Sequence, residues 1–266
     1  MKPGQYRLRA VVLSRTNYGE ADLIANLLTR ELGKISGLAR HGRKSLRRFG
    51  NILAPGTLAE WSFTVRAGHE LVRLESGDLL RSHDGLGRSA RLLAWAALAL
   101  ELAEAFSPPL DPVPEVFDLL LWTLDKHDRD VRPDETDFIF KVKLLSSVGF
   151  SPNLVGCTIC GRPPAGKGGV KLSAEAAGLV CASCTSGGFA VSPGTLKTLV
   201  LVRNLNPDKL NRLRISETVR REAGPFLLAY LRHILGRELK SARVLEQLGK
   251  GCPITPGPAV SVSATA

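Results

Sequence analysis

Two periods of apolar residues divide the chain. Up to about residue 80 the repeat is two. Leu8, Ala10 and Val12 alternate with Arg7, Arg9 and Val11, which predicts a half-buried strand. A second run, Leu23 to Thr29, leads through Arg30-Glu31-Leu32-Gly33 into a third, Lys34 to Leu38. Gly33 can supply the positive φ that such a turn needs, so the pair reads as a hairpin. Leu58 to Val65 and Leu71 to Leu74 form a further pair, turning at Ala67-Gly68-His69. Five short strands in so few residues predict a small closed barrel of the OB type.

From about residue 85 the repeat becomes helical. Leu92, Leu93, Ala96, Leu100 and Ala103 fall on one face of a helix that Pro108-Pro109 ends. Val116, Leu119, Leu120 and Leu124 mark a second helix, entered after Pro114. Pro133 and Asp134-Glu135 start a third, whose stripe is Phe138, Val142, Leu145 and Val148. Gly149 and Pro152 stop it. Ser192-Pro193 is a helix start, continued by Leu196, Leu199 and Val200. Ser216 caps a helix running to about Leu235, which Pro225 is expected to kink or break. The Pro, Val, Ser and Ala tail from Pro253 reads as disordered.

The helical part is interrupted by Cys157-Thr-Ile-Cys160 and Cys181-Ala-Ser-Cys184, with twenty residues between the pairs. That is the spacing of a four-thiolate zinc site built from Cys157, Cys160, Cys181 and Cys184. Four thiolates fill a tetrahedral ion, so the expected cofactor is one structural Zn²⁺ with no position for a reacting water. Redox dithiols and disulfides are the alternatives, and disulfides would need an oxidising compartment. Cys252 stands alone and is expected to be a free thiol.

The resulting fold class is α+β and multidomain. An N-terminal OB-fold β-barrel precedes an α-helical domain with an inserted four-cysteine zinc module. The expected divisions are 1–80, the DNA-binding barrel; 81–156, the first helical part; 157–191, the zinc module; 192–250, the second helical part; and 251–266, the tail.

Charge changes the picture. Thirty-six Lys and Arg against 25 Asp and Glu leave +11 at pH 7, which favours an anionic partner, nucleic acid first. A basic surface produced by Arg-rich codon usage is the plainer reading. The distribution decides for binding. Five of the nine residues from Arg40 to Arg48 are basic, and no acid occurs between Lys34 and Ala59. A basic loop on a barrel face tracks a phosphate backbone, and Arg suits bidentate phosphate contact. The predicted DNA-binding residues are Lys34, Arg40, Arg43, Lys44, Arg47, Arg48 and Arg66. Aromatics are few here; Tyr18 and Phe49 flank probable loops and could stack a base, whereas Trp61 and Phe63 read as core. A second basic region, Arg220, Arg221, Arg232, Arg237, Lys240 and Arg243, fits a solvated helix face as well as a DNA contact.

Several chemistries are excluded. Gly161 to Gly168 resembles a phosphate loop but ends in Gly168, where Ser or Thr should reach magnesium. A zinc deaminase would need a His-x-Glu motif that is missing, since Glu70 follows His69 directly. No catalytic constellation stands out, so no enzyme is expected. The longest apolar run, Leu92 to Leu100, is far shorter than the ~20 residues of a membrane span. With no apolar leader at the start, a cytoplasmic, nucleoid-associated protein is expected.

The order of parts, and several strings within them, resemble the RecO family of bacterial recombination mediators. The strings are Tyr18-Gly-Glu20-Ala-Asp22, Leu28-Thr29 and Gly33-Lys34; Gly42 with its basic neighbours, Leu53 and Pro55; and Leu144-Leu145, Gly149-Phe150, Pro152 and Leu154 running into Cys157, Cys160 and Gly161, with Gly178 and Cys181 later. They span roughly residues 6 to 190, and in this order they are fairly specific. His41 departs from the Lys that the family often has before the glycine, which leaves no phosphate contact expected of it. Not all relatives keep the four cysteines, which suits a structural metal. The resemblance implies a non-enzymatic DNA repair protein that binds single- and double-stranded DNA, anneals complementary strands, engages SSB, and acts with RecR, and in some settings RecF, to load RecA. Alternatives are a zinc-ribbon nucleic-acid-binding accessory protein and an RNA-modifying enzyme.

Overall fold

A computed structural model describes residues 1–45, 48–163, 170–184 and 187–249. Five strands, β1 (Gly4–Tyr18), β2 (Asp22–Thr29), β3 (Gly33–Ala39), β4 (Leu58–Val65) and β5 (Val72–Arg81), close a barrel in the order β1-β2-β3-β5-β4. Only β3 and β5 run parallel; the other pairs are antiparallel. This is the OB arrangement the alternating pattern predicts. β1 is longer than the pattern shows because it serves two neighbours. Gly4 to Val11 pair with β4, and Ala10 to Tyr18 pair with β2, across a bulge between Val12 and Ser14. An extra residue there lets the strand bend around the barrel.

Strand parity sorts the side chains. Ala10, Val12, Leu23, Ala25, Leu27, Trp61, Phe63 and Leu74 fill the barrel. The outward Val11, Leu13 and Leu28 belong instead to a second core shared with the helices. The two parts are therefore packed on one another. Gly33 has φ 69°, and a Cβ there would stand 2.2 Å from the Asp111 carbonyl oxygen. The glycine serves the β2–β3 turn and also permits this close approach of the helical part.

The helices are α1 (Ala90–Phe106), α2 (Pro114–Asp128), α3 (Pro133–Ser147), α4 (Pro193–Asn204), α5 (Glu217–Leu235) and α6 (Lys240–Gly249). Ser89, Ser192 and Ser216 cap α1, α4 and α5 by accepting from the amides three residues on. Leu93 departs from its predicted face and is exposed. α3 is buried on more sides than a single stripe, since Ile139, Phe140 and Leu144 join Phe138, Val142 and Leu145, while Val148 is only half-buried. Of the kink or break expected at Pro225, the break does not occur. α5 continues through it, held by the buried Ala223, Phe226 and Leu227 on either side. Tertiary packing outweighs the missing amide here.

Between α3 and α4 lies a three-stranded antiparallel sheet, ordered β7 (Gly178–Cys181), β6 (Val170–Ser173), β8 (Phe189–Val191). It has no core of its own. Leu172, Leu179 and Val191 join the helical core, and Phe189 meets Phe226 of α5 edge-on at 6.3 Å. No described helix is long and apolar enough to cross a membrane. The tail from Pro253, Cys252 and residues 164–169 of the phosphate-loop-like segment lie outside the described residues.

Candidate nucleic-acid interface and metal centre

Because Leu23, Ala25 and Leu27 point into the barrel, Asp22, Ile24 and Asn26 point out of it. Their partners across the strands do the same. Thr16, Ile24 and Leu38 form one outward row, and Ser14, Asn26 and Ser36 form the next. The second row is closed off by α1. Glu104 Oε1 accepts from Ser14 Oγ at 2.8 Å and Asn26 Nδ2 at 2.7 Å, while Ser36 Oγ donates to Asn26 Oδ1 at 2.7 Å. The first row is half-buried at Ile24 and Leu38 and leads to the barrel end that carries the basic loop.

That loop is fastened to the β1–β2 turn. His41, at φ 55°, donates its amide to Asp22 Oδ1 at 2.7 Å. The Arg43 amide reaches the Ala21 carbonyl at 3.1 Å, and its Nη1 reaches the Glu20 carbonyl at 3.1 Å. Asp22, which the sequence shows only as part of the Tyr18 to Asp22 string, is the anchor of this loop. The legible signal was its place at the first strand residue after a turn, where an Asx side chain can bind backbone amides.

The predicted DNA-binding residues separate accordingly. Arg40, Arg43 and Lys44 are exposed together on this loop. Arg47 lies outside the described residues. Arg48 is half-buried: Nη2 donates to the Arg40 carbonyl at 2.7 Å, Nε to Ser45 Oγ at 3.1 Å, and the guanidinium lies 5.2 Å from the Phe49 ring centre. It braces the loop from inside. Lys34 is half-buried, and its ammonium donates to the Glu104 carbonyl at 2.7 Å, at the barrel–helix junction and apart from the loop trio. Burial lowers its pKa, against the partial opposition of Glu104. Arg66 is exposed but stands just past Val65, which pairs with Gly4 at the far end of β1 from Tyr18. The fold does not bring it to the loop.

Phe49 is 1% exposed and packs near Trp61, so it is core and unavailable to a base. Tyr18 is 54% exposed. Half of the second basic region is engaged with acids or carbonyls. Arg232 binds Glu238 at 3.0 Å and Glu246 at 2.9 Å; Arg237 binds Glu101 at 3.0 Å; Arg220 binds the Ile215 carbonyl and lies 3.9 Å from Glu135. Arg221, Lys240 and Arg243 are exposed.

The four cysteines come together. Their sulfurs all lie within 4.8 Å of one another, and Cys160 and Cys181 are 3.7 Å apart. A tetrahedron with metal–sulfur bonds of ~2.3 Å has edges near ~3.8 Å, so the donor set fits a single ion. The fold forms the two turns with backbone bonds: Gly161 donates to the Cys157 carbonyl at 2.8 Å and Cys184 to the Cys181 carbonyl at 3.0 Å. The amides of Cys160 and Cys181 face the Cys157 sulfur and bring its pKa down to about 6, with Cys181 N 3.4 Å away. A hydrogen bond from Ser183, at 3.1 Å, lowers Cys181 as well. Cys184, bonded to the sulfurs of Cys181 and Cys160, is pushed up to about 12. Thiols crowded in this way ionise together only if a cation neutralises them. Cys157 is buried, whereas Cys160 is exposed.

Comparison with known proteins covers nearly the whole length. A family model described as "Recombination protein O N terminal" matches residues 1–83, and one described as "Recombination protein O C terminal" matches residues 88–243. The chain is 34% identical over 246 residues to a DNA repair protein RecO of Anaeromyxobacter sp. (strain K), covering 91% of this chain and 96% of that one. It is 30% identical over 248 residues to a DNA repair protein RecO of Syntrophus aciditrophicus, with the same coverage of 91% and 96%. A DNA repair protein RecO of Dehalococcoides mccartyi (strain CBDB1) is 30% identical over 256 residues, 93% of this chain and 97% of the other. The barrel and the helical part thus each match their half of one family, and the chain belongs to the RecO family.

Proposed function

We propose that this chain is a DNA repair protein acting as a recombination mediator, without catalysing a reaction of its own. It binds single- and double-stranded DNA, anneals complementary strands, and acts with RecR, and RecF where present, to load RecA onto DNA coated with SSB. Family membership supports the repair role. The observation that carries the DNA-binding part is the exposed trio Arg40, Arg43 and Lys44, held by backbone and Asp22 contacts at one end of the outer β2–β3 face.

An annealing protein must hold the backbone and leave most bases free to pair. Closely spaced Arg and Lys with few aromatics suit that need, since phosphate contacts carry affinity without reading sequence. They also neutralise two approaching strands and reduce their repulsion. In this reading the barrel, 1–80, is the DNA-binding unit. The helical parts, 81–156 and 192–250, support it. The module 157–191 is a structural Zn²⁺ site on Cys157, Cys160, Cys181 and Cys184, whose metal adds crosslinking and no reactivity. The protein works in the cytoplasm, on the nucleoid.

The test is annealing of complementary strands precoated with SSB, with no nucleotide present. Acceleration is expected. DNA binding without acceleration would reduce the protein to a binding module, and the mediator reading would fail. Changing Arg40, Arg43 and Lys44 together to Ala should lower the log–log salt slope for single strands by about 2, at ~0.7 per lost contact. An unchanged slope would remove this loop from the site.

A further inference from the structure

Tyr18 stands where the basic loop, the β1–β2 turn and the outer β2–β3 face meet. It pairs directly with Asp22, the residue whose carboxylate holds the His41 amide. The Arg43 guanidinium sits on the Glu20 carbonyl two residues further on. β1 alternates, so Tyr18 shares the outward side of Thr16, which pairs with Ile24 and through it with Leu38. Tyr18 is 54% exposed, unlike the other large aromatics of the barrel. Trp61, Phe63 and Phe49 are exposed by only 0%, 1% and 1%. A ring left in solvent beside three uncovered cations has the composition of a single-strand platform: charge for the backbone and a π-face for a base.

Resting on the DNA-binding reading above, we infer that Tyr18 stacks one nucleobase of a single strand whose phosphates lie on Arg40, Arg43 and Lys44, and so gives this surface its preference for single strands over duplex. The half-buried pair Ile24 and Leu38 extends the apolar floor beside the ring. A duplex presents its phosphates to the same cations but keeps its bases stacked inside, out of reach of the ring. One stacked base per chain leaves neighbouring bases free to find a complement, so the contact is compatible with annealing.

The experiment compares Tyr18→Ala, Tyr18→Phe and the wild-type chain on three labelled probes by anisotropy: a thymidine oligonucleotide, an abasic oligonucleotide of equal length, and a duplex. Base–aromatic stacking predicts that Tyr18→Ala weakens thymidine binding about fivefold or more, with abasic and duplex binding unchanged and Tyr18→Phe close to wild type. Equal weakening on all three probes, or none on thymidine, overturns the inference. Arg40, Arg43 and Lys44 changed together to Ala serve as the control, because that variant should lose affinity for all three probes. If it does while Tyr18→Ala loses none selectively, only the stacking fails. A wild-type chain that binds none of the probes would fail the DNA-binding reading, and the stacking with it.

Discussion

The Lys34 ammonium on β3 donates to the backbone carbonyl of Glu104 near the end of α1, 2.7 Å away. The Glu104 side chain turns back to accept from Ser14 and Asn26 on the barrel. One residue of α1 thus accepts three hydrogen bonds across the junction, and Leu110 donates its amide to the Lys34 carbonyl at 3.0 Å as a fourth link nearby. The barrel is held against the helices at the lower end of its outer face, leaving the upper end, with Tyr18 and Arg40, to solvent.

Lys34 should therefore behave as a structural residue. Lys34→Met leaves the Glu104 carbonyl without its donor, and a lost bond of this kind costs about 1–3 kcal/mol. The expected outcome is a lower midpoint in urea with an unchanged salt slope for single-stranded DNA. A slope reduced by about 0.7 with unchanged stability would return Lys34 to the phosphate set.

The basic loop makes a similar distinction at Arg48. Its two hydrogen bonds and its contact with Phe49 brace the loop, whereas Lys44 is exposed. Arg48→Lys keeps the charge but loses the planar fork. It should weaken DNA binding and raise protease sensitivity near residue 45, whereas Lys44→Arg should do neither. Equal affinity for Arg48→Lys and the wild-type chain would show that charge alone matters there.

Much of this was readable from residues alone because it depends on local order. Period two followed by a helical period fixed the succession of barrel and helices, and two Cys-x-x-Cys pairs at ribbon spacing implied one cluster. What depends on distant partners was not readable. A run of one sign such as Arg40 to Arg48 looks uniform, yet Arg48 turns inward onto the Arg40 carbonyl. Lys34 and Arg66 look like equals, yet one meets Glu104, 70 residues away, and the other stands at the opposite end of β1. Arg232 and Arg237 read as a basic face because Glu238, Glu246 and Glu101 are brought to them only by the packing of α5, α6 and α1. At Pro225 local chemistry allows a kink or a break, and burial on both sides decides against the break.

Metal removal should act on the helical part. Metal analysis of reduced protein is expected to find about one zinc per chain, the capacity of a four-thiolate site. Since Leu172, Leu179 and Val191 belong to the helical core, chelation should lower the thermal midpoint and expose helical amides to exchange, with barrel amides protected as before. Cys157→Ser should have the same effect without chelator. Protein purified under reducing conditions with no bound zinc and full stability would eliminate the metal site.

Glu101 fastens α6. Its carboxylate accepts from the Lys240 amide at 3.1 Å, the Ser241 amide at 2.9 Å and Arg237 at 3.0 Å. Burial alone would raise its pKa, but these donors outweigh it and hold the group below the usual carboxylate range. A depressed carboxylate contributes stability above its unfolded pKa and loses it as pH falls through the folded value. Glu101→Ala should therefore free residues 240–249 to exchange at neutral pH, as acid does in the unchanged chain. Unaltered protection in the variant would mean that the apolar contacts of Leu239 and Ala242 hold α6 unaided.

His127 gives the helical part a pH signature of its own. Its ring is fully buried beside Trp95, with ring centres 6.5 Å apart, and neither nitrogen reaches a hydrogen-bond partner among the described residues. Burial lowers its pKa to about 4, only partly offset by the charge of Asp134. An unfolded histidine titrates near ~6.5, so between these values the unfolded chain binds more protons than the folded one. Stability should therefore be complete above about pH 6.5 and fall as pH drops toward 4, by roughly 3 kcal/mol in all at ~1.4 kcal/mol per unit. His127→Phe keeps an aromatic ring of similar volume and removes the proton site. Urea midpoints measured from pH 7 to 4.5 should fall steeply for the wild-type chain and clearly less for the variant. Parallel curves would show that His127 is not the group that destabilises the helical core in acid.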